Sequence, residues 1–152
     1  MAFRRAVFAW LIADGDMHLK NLAMLKTAEA EAKAFTTVRF APLYDAVTTR
    51  VFPGLGGDRM ALKLNGKDDR LTRQDFFTLA RTIGLTVGDA EAAIVEIAGR
   101  LAERAATLSL PAFAAESEAA RAMQDKVIAL VGDRCAVFAG NAEATNSPGK
   151  NK

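Results

Sequence analysis

The sequence has almost no cysteine, no polybasic block and no long apolar run. Its 152 residues contain one cysteine, Cys135, which excludes an internal disulfide and any metal site built from several cysteines. The longest uninterrupted apolar run, Ala6 to Ala13, is far shorter than the ~20 residues of a membrane-spanning helix. Lys and Arg are scattered and the net charge is only +2, which is too weak to indicate direct binding of nucleic acid, and none is predicted. A cytoplasmic protein without a membrane partner is predicted.

The composition is that of a folded domain. Hydrophobic residues make up 51% of the chain and charged residues 25%, which is enough apolar material for a buried core. Residues 1–140 are therefore predicted to form one domain, which is an ordinary size for a single core. Residues 141–152 have no large apolar side chain and are predicted to be a disordered tail.

Residues 2–13 predict a helix that is apolar on nearly every face. Phe3, Val7 and Leu11 form one stripe, and Phe8 and Ile12 form another. Such a helix has to be covered on several sides. Because it stands at the start of this sequence, part of its apolar surface is expected to remain uncovered.

The rest of the chain predicts a mainly α fold with one small β-hairpin. The apolar run 22–25 is predicted to be a strand that pairs with the alternating stretch 37–41, which is predicted to be a half-buried strand. The Gly- and Pro-containing stretch 46–58 is predicted to be a loop. Apolar residues at helical spacing predict three later helices, one after a Thr72–Asp75 capping box, one over 89–108 and one starting at Ser117.

Chemically versatile side chains are concentrated between residues 14 and 45. Asp16 and Asn21 stand five residues apart with a lysine between them, which is the spacing of the protein-kinase catalytic loop. In that loop the Asp accepts the proton of the substrate hydroxyl and the Asn holds a magnesium ion. A second Asp after a hairpin completes such a magnesium site, and Asp45 follows the second predicted strand.

Three segments stand out as motifs: D-G-D-M-H-L-K-N at 14–21, P-L-Y-D at 42–45 and M-A-L-K-L-N-G at 60–66. Together they resemble the HipA-type serine/threonine kinases, the toxin components of bacterial toxin–antitoxin pairs. The resemblance covers about residues 3–85. It implies the helical C-terminal lobe of a protein-kinase-like fold, with the hairpin carrying the catalytic and metal-binding loops.

The resemblance also implies roles for individual residues. Asp16 matches the catalytic base, and Asn21 and Asp45 match the ligands of Mg²⁺. The same motifs imply contacts with the nucleotide ATP and phosphotransfer to a protein substrate. The residues in nucleotide-contacting positions are His18, Leu19, Lys20, Asn21, Tyr44 and Asp45.

One part of the family pattern has no counterpart in this sequence. The family's kinase core begins with a phosphate-covering loop and a lysine that pairs with ATP. The only glycine cluster, Gly54 to Gly57, follows the catalytic segment and does not open a helix. The sequence is therefore expected to represent a C-terminal lobe that lacks its N-terminal lobe.

Two alternatives to phosphotransfer remain open. The chain can be a truncated, non-catalytic helical module that binds a DNA-binding antitoxin partner or a separate N-terminal lobe. It can also be a metal-dependent hydrolase using Asp14, Asp16, His18 and Asp45. The second alternative is disfavoured because a two-metal site usually has more His and carboxylate ligands.

Overall fold

The structure, a computed structural model, describes residues 1–140. The predicted tail at 141–152 lies outside the described residues. Within the described part the fold is mainly helical, as predicted, with one antiparallel two-stranded sheet. The elements are α1 (Ala2–Leu11), β1 (Met24–Thr27), β2 (Thr37–Phe40), α2 (Arg73–Thr82), α3 (Val87–Ala106) and α4 (Glu118–Ala139).

Helix α1 lies in the middle of the core, so most of its apolar surface is covered, and the expected uncovered part is limited, among its large side chains, to the half-buried Phe8. Val7 and Leu11 are completely buried, because α2, α3 and α4 all pack against α1. The rings of Phe3 and Phe76 pack edge to face, with their centres 6.3 Å apart. The rings of Phe76 and Phe138 pack in the same way, with their centres 5.5 Å apart. The later helices thus supply the cover that residues 2–13 require.

The three later helices form where the sequence predicts them. The Thr72–Asp75 capping box is present, since the Thr72 backbone N–H donates to Asp75 Oδ2 at 2.8 Å. Gly84, with φ of +75°, adopts the left-handed conformation just after α2 and lets the chain turn into α3. Ser117 caps α4 by accepting a hydrogen bond from the backbone of Ala120. Local capping chemistry therefore sets these boundaries.

The hairpin is present but more exposed than the sequence predicts. Met24 pairs with Phe40 and Thr27 with Thr37, so β1 begins two residues later than predicted. The half-buried assignment is wrong, since Val38 is 56% exposed and every residue of β1 is exposed. No layer of the described residues covers either face of the sheet. The hairpin serves mainly to return the chain from the end of one loop to the start of another.

None of the helices described between residues 1 and 140 is long and apolar enough to cross a membrane.

Candidate functional site

The loop that follows α1 is held tightly to the end of that helix. The Ala13 backbone N–H donates to Trp10 O at 3.1 Å, and the Asp14 backbone N–H donates to Ala9 O at 2.9 Å. Ala13 has φ of +56°, which reverses the chain at once. The buried helix therefore fixes where residues 14–21 begin.

Gly15 is required by close packing against the segment that follows the hairpin. A Cβ at this position would lie 1.9 Å from Asp58 Oδ2 and 2.5 Å from Thr49 Oγ1. The Gly15 backbone N–H donates to Thr49 Oγ1 at 2.9 Å, and that hydroxyl donates to Ala13 O at 3.2 Å. Sequence reasoning missed Thr49 and Asp58, because their contacts with Gly15 join residues far apart in the chain.

Asn21 and Asp45, the predicted metal ligands, are in direct contact. Asn21 Nδ2 donates to Asp45 Oδ2 and to Asp45 O, at 3.1 Å in each case. Asn21 is 3% exposed, and its Oδ1 is buried without a hydrogen-bond partner among the described residues. Asp45 itself is exposed and has φ of +52°, a conformation that Asp and Asn tolerate better than most residues.

A second contact joins the same two loops. The Tyr44 hydroxyl donates to Lys20 O at 2.5 Å. The two motifs at 14–21 and 42–45 are thus tied together at neighbouring residue pairs. The side chains of Leu19 and Lys20 lie on the surface beside this junction.

Asp16, the predicted base, has an exposed carboxylate. Its backbone N–H donates to Asp14 Oδ1 at 3.1 Å, and its own Oδ1 lies 3.8 Å from His18 Nε2. His18 Nδ1 is buried without a partner among the described residues. The Asp16 carboxylate, whose side chain is 55% exposed, is open to solvent.

Asp14 is a buried carboxyl group behind these residues. The pKa of Asp14 is raised from its ordinary 3.8 to about 6, mainly by burial and also by the negative charges of Asp16 and Asp45. Backbone N–H groups of Asp16 and Val47 donate to the carboxylate and partly offset these effects. Asp14 therefore receives hydrogen bonds from both loops and lies near the other two carboxylates.

Arg5 connects α1 with both ends of the hairpin. It is buried, and its guanidinium donates to Asn21 O at 3.4 Å and to Ala41 O. The same guanidinium lies 5.8 Å from the centre of the Phe40 ring. Sequence reasoning did not identify Arg5, although a lone charge on the buried side of an apolar helix is a signal that it could have used.

The donor set at Asn21 and Asp45 fits a magnesium ion. Mg²⁺ takes oxygen ligands and needs only one or two from the protein. The unpartnered Asn21 Oδ1 and the exposed Asp45 carboxylate supply one amide and one carboxylate oxygen. Within residues 1–140 no group of three or more His, Cys, Asp or Glu side chains is arranged to hold a metal.

Comparison with protein families gives one match. The family model described as the HipA-like C-terminal domain matches residues 1–107. The match includes α1, both loops, the hairpin, α2 and α3, and it ends one residue after α3. A search of the curated proteins found no match to this chain.

Proposed function

We propose that this chain, which belongs to the HipA-like C-terminal domain family, is the catalytic lobe of a serine/threonine protein kinase that uses ATP. Membership relates the chain to the HipA-like toxins. The observation that carries the proposal is the junction of the two loops, in which Asn21 contacts Asp45 and Tyr44 contacts Lys20. A base and two oxygen ligands on adjoining loops are what phosphoryl transfer needs from a C-terminal lobe.

In this proposal Asp16 accepts the proton of a serine or threonine hydroxyl as that oxygen attacks the terminal phosphate. Its exposure leaves room for a protein acceptor. Asn21 and Asp45 would hold Mg²⁺, which neutralises charge on the phosphate oxygens when bound. Arg5 and Asp14 hold the two loops in register, because each bonds to backbone groups near both of them.

Contacts with the nucleotide are assigned to His18, Leu19, Lys20, Asn21, Tyr44 and Asp45. Their common feature is position, since all six lie within the two joined loops. We propose that a second lobe, on a longer or separate polypeptide, covers the phosphates from the other side. The proposed acceptor is a protein, and a DNA-binding antitoxin is the proposed regulatory partner.

The metal assignment can be tested on this chain with Mn²⁺ as a paramagnetic probe. Mn²⁺ favours the same oxygen ligands, so adding it with ATP should broaden the amide resonances of residues 20–22 and 44–46 first. Asp45→Asn removes the carboxylate but tolerates the left-handed backbone, and it should abolish the broadening. Asp125→Asn, at an exposed position on α4, is the matched control and should change nothing. Broadening that persists in Asp45→Asn would contradict the assignment.

The catalytic assignment is tested by single-turnover transfer from labelled ATP to a protein acceptor, in a complete protein that carries this lobe together with the second lobe. Asp16→Asn should retain the Mn²⁺ effect while lowering transfer at least ~100-fold, as expected for loss of a general base. Asn21→Ala should have an intermediate effect, because water can replace one ligand of Mg²⁺. If Asp16→Asn transferred phosphate as fast as the wild type, the proposed role of Asp16 would be refuted. No transfer by the complete protein with unaltered residues in this lobe would favour the second candidate.

The second candidate is a non-catalytic helical module that binds a protein partner. The observation that favours it is an open apolar groove between α1 and α3, lined by Phe8 and Ile97 among others. Its residues lie on the opposite end of α1 from Asp14 and Asp16.

A further inference from the structure

Helices α1 and α3 enclose a groove that the proposed phosphotransfer does not use. Two adjoining cavities of about 440 and 340 Å³ share Arg4, Phe8 and Ile97, so they form one continuous depression. It runs from Leu43 beside the hairpin to Arg104 on α3. We call this the arginine-rimmed groove. Its apolar floor is formed by Phe8, Phe40, Pro42, Leu43, Ile97 and Leu101.

The lining of the groove is strongly positive. It includes the exposed or half-buried Arg4, Arg39, Arg100 and Arg104 and the buried Arg5, and no carboxylate of the described residues lines it. Glu96, just outside, pairs with Arg4 at 2.8 Å and with Arg100 at 3.2 Å, so one carboxylate serves two guanidinium groups.

This concentration of arginines has an energetic cost. Arg100 and Arg104 stand four residues apart on α3, and like charges at that spacing destabilise a helix. Within residues 1–140, Arg39 and Arg104 make no salt bridge. The groove therefore combines an uncovered apolar floor with excess positive charge.

We propose that the arginine-rimmed groove binds an acidic amphipathic helix of a protein partner. Apolar side chains spaced i, i+3 and i+7 on such a helix would cover Phe8, Ile97 and Leu101, with its carboxylates facing the arginines. From Ile97 to Arg104 the groove follows α3 for about 10 Å, which accommodates about two helical turns of a partner.

The positive charge and the apolar floor of the groove together favour an acidic amphipathic helix over other occupants. A nucleic acid would satisfy the arginines but leave the apolar floor covered only by sugar and phosphate. The chain's own residues 141–152 contain one acidic residue, two lysines and no large apolar side chain, so they match neither feature. Binding at the groove does not depend on Asp16, Asn21 or Asp45, so phosphotransfer and partner binding can fail independently.

The test uses a labelled helical peptide with Leu at i, i+3 and i+7 and Glu at the flanking positions, with fluorescence anisotropy as the readout. A matched peptide carries Lys in place of Glu. The Glu peptide should bind, and its binding should weaken as the salt concentration is raised, because salt screens exposed charge pairs. The Lys peptide should bind at least about tenfold more weakly, a difference of about 1.4 kcal/mol.

Two variants and two controls locate the site. Ile97→Asp and the double variant Arg100→Glu/Arg104→Glu should each lower the affinity for the Glu peptide at least about tenfold. Val95→Asp is the control for the first, because Val95 is 45% exposed on the same helix but outside the groove. Arg81→Glu, at an exposed position on α2, is the control for the charge reversal. Thermal melting followed by circular dichroism checks that each variant folds.

Three results of the peptide assay would overturn the proposal. They are failure of the Glu peptide to bind, equal binding of the Lys peptide, or binding that the double arginine variant leaves unchanged. Light scattering provides a further check. A dimer that Ile97→Asp dissociates would assign the groove to a second copy of this chain and would also overturn it.

Discussion

Replacing Asp14 by Asn should change how the stability of the protein depends on pH. Asp14 is 3% exposed and its carboxylate faces the negative charges of Asp16 and Asp45. Asn has nearly the same shape and can still accept from the Asp16 backbone N–H, but it carries no charge. The substitution therefore removes the titration of a buried carboxyl group while preserving most of its packing.

The size and sign of the pH-dependent contribution of Asp14 to stability follow from its raised pKa. Because the folded-state pKa is about 6 and the ordinary value is 3.8, the folded protein binds more protons than the unfolded chain between these values. Stability from Asp14 is therefore fully present below about pH 4 and is lost as the pH rises through 6. A difference of about two pKa units corresponds to about 3 kcal/mol at most.

The assay is urea unfolding of wild type and Asp14→Asn from pH 4 to 7.5, in buffer free of divalent metal. The free-energy difference between the two proteins should shift in favour of Asp14→Asn by about 1–3 kcal/mol across that range. Groups such as Asp69 and Asp75, whose pKa values are lowered despite burial, contribute equally to both proteins and cancel. A difference that stays constant with pH would show that Asp14 titrates normally and would refute the reasoning.

Two further substitutions test the packing around the site and in the core. Gly15→Ala should displace Asp58 and Thr49 and abolish the Mn²⁺ broadening. Gly56→Ala is the control and should leave the broadening unchanged, because the space around Gly56 is open. A normal Mn²⁺ response in Gly15→Ala would contradict the close approach. Phe76→Ala should lower the free energy of unfolding by about 3–5 kcal/mol in urea titrations, because Phe76 is completely buried. Phe113→Ala, at a 91% exposed position, should cost less than about 0.5 kcal/mol, and equal losses in the two variants would argue against the assigned core.

Local sequence signals predicted the later helices well. The apolar spacing after Thr72 and the caps at Thr72 and Ser117 act within a few residues, so they can be read without knowing the fold. The burial of the hairpin could not be read in this way. Alternation over 37–41 predicts a covered face only if another layer packs on it, and within residues 1–140 no such layer is present.

At the site, too, sequence spacing identified residues in local motifs but missed residues that act through contacts distant in the chain. The spacing of Asp16, Asn21 and Asp45 singled out three residues, and the structure brings two of them into contact. Their catalytic and metal-binding roles stay predictions. Arg5 and Thr49 were missed, because each acts through hydrogen bonds to backbone atoms at least sixteen residues away. Nothing in the spacing of a sequence reports such contacts.

The exposure of the hairpin has a consequence for labelling the protein. Both of its bases are anchored, by Arg5 at Asn21 and Ala41 and by the Asn21–Asp45 contact, so the strands between them are not needed to hold the loops together. Residues 28–36 at its tip are all exposed. Surface tips of this kind accept inserted sequence with little cost in stability. A fluorescent tag or affinity epitope placed there would report on the protein without entering either its core or the arginine-rimmed groove.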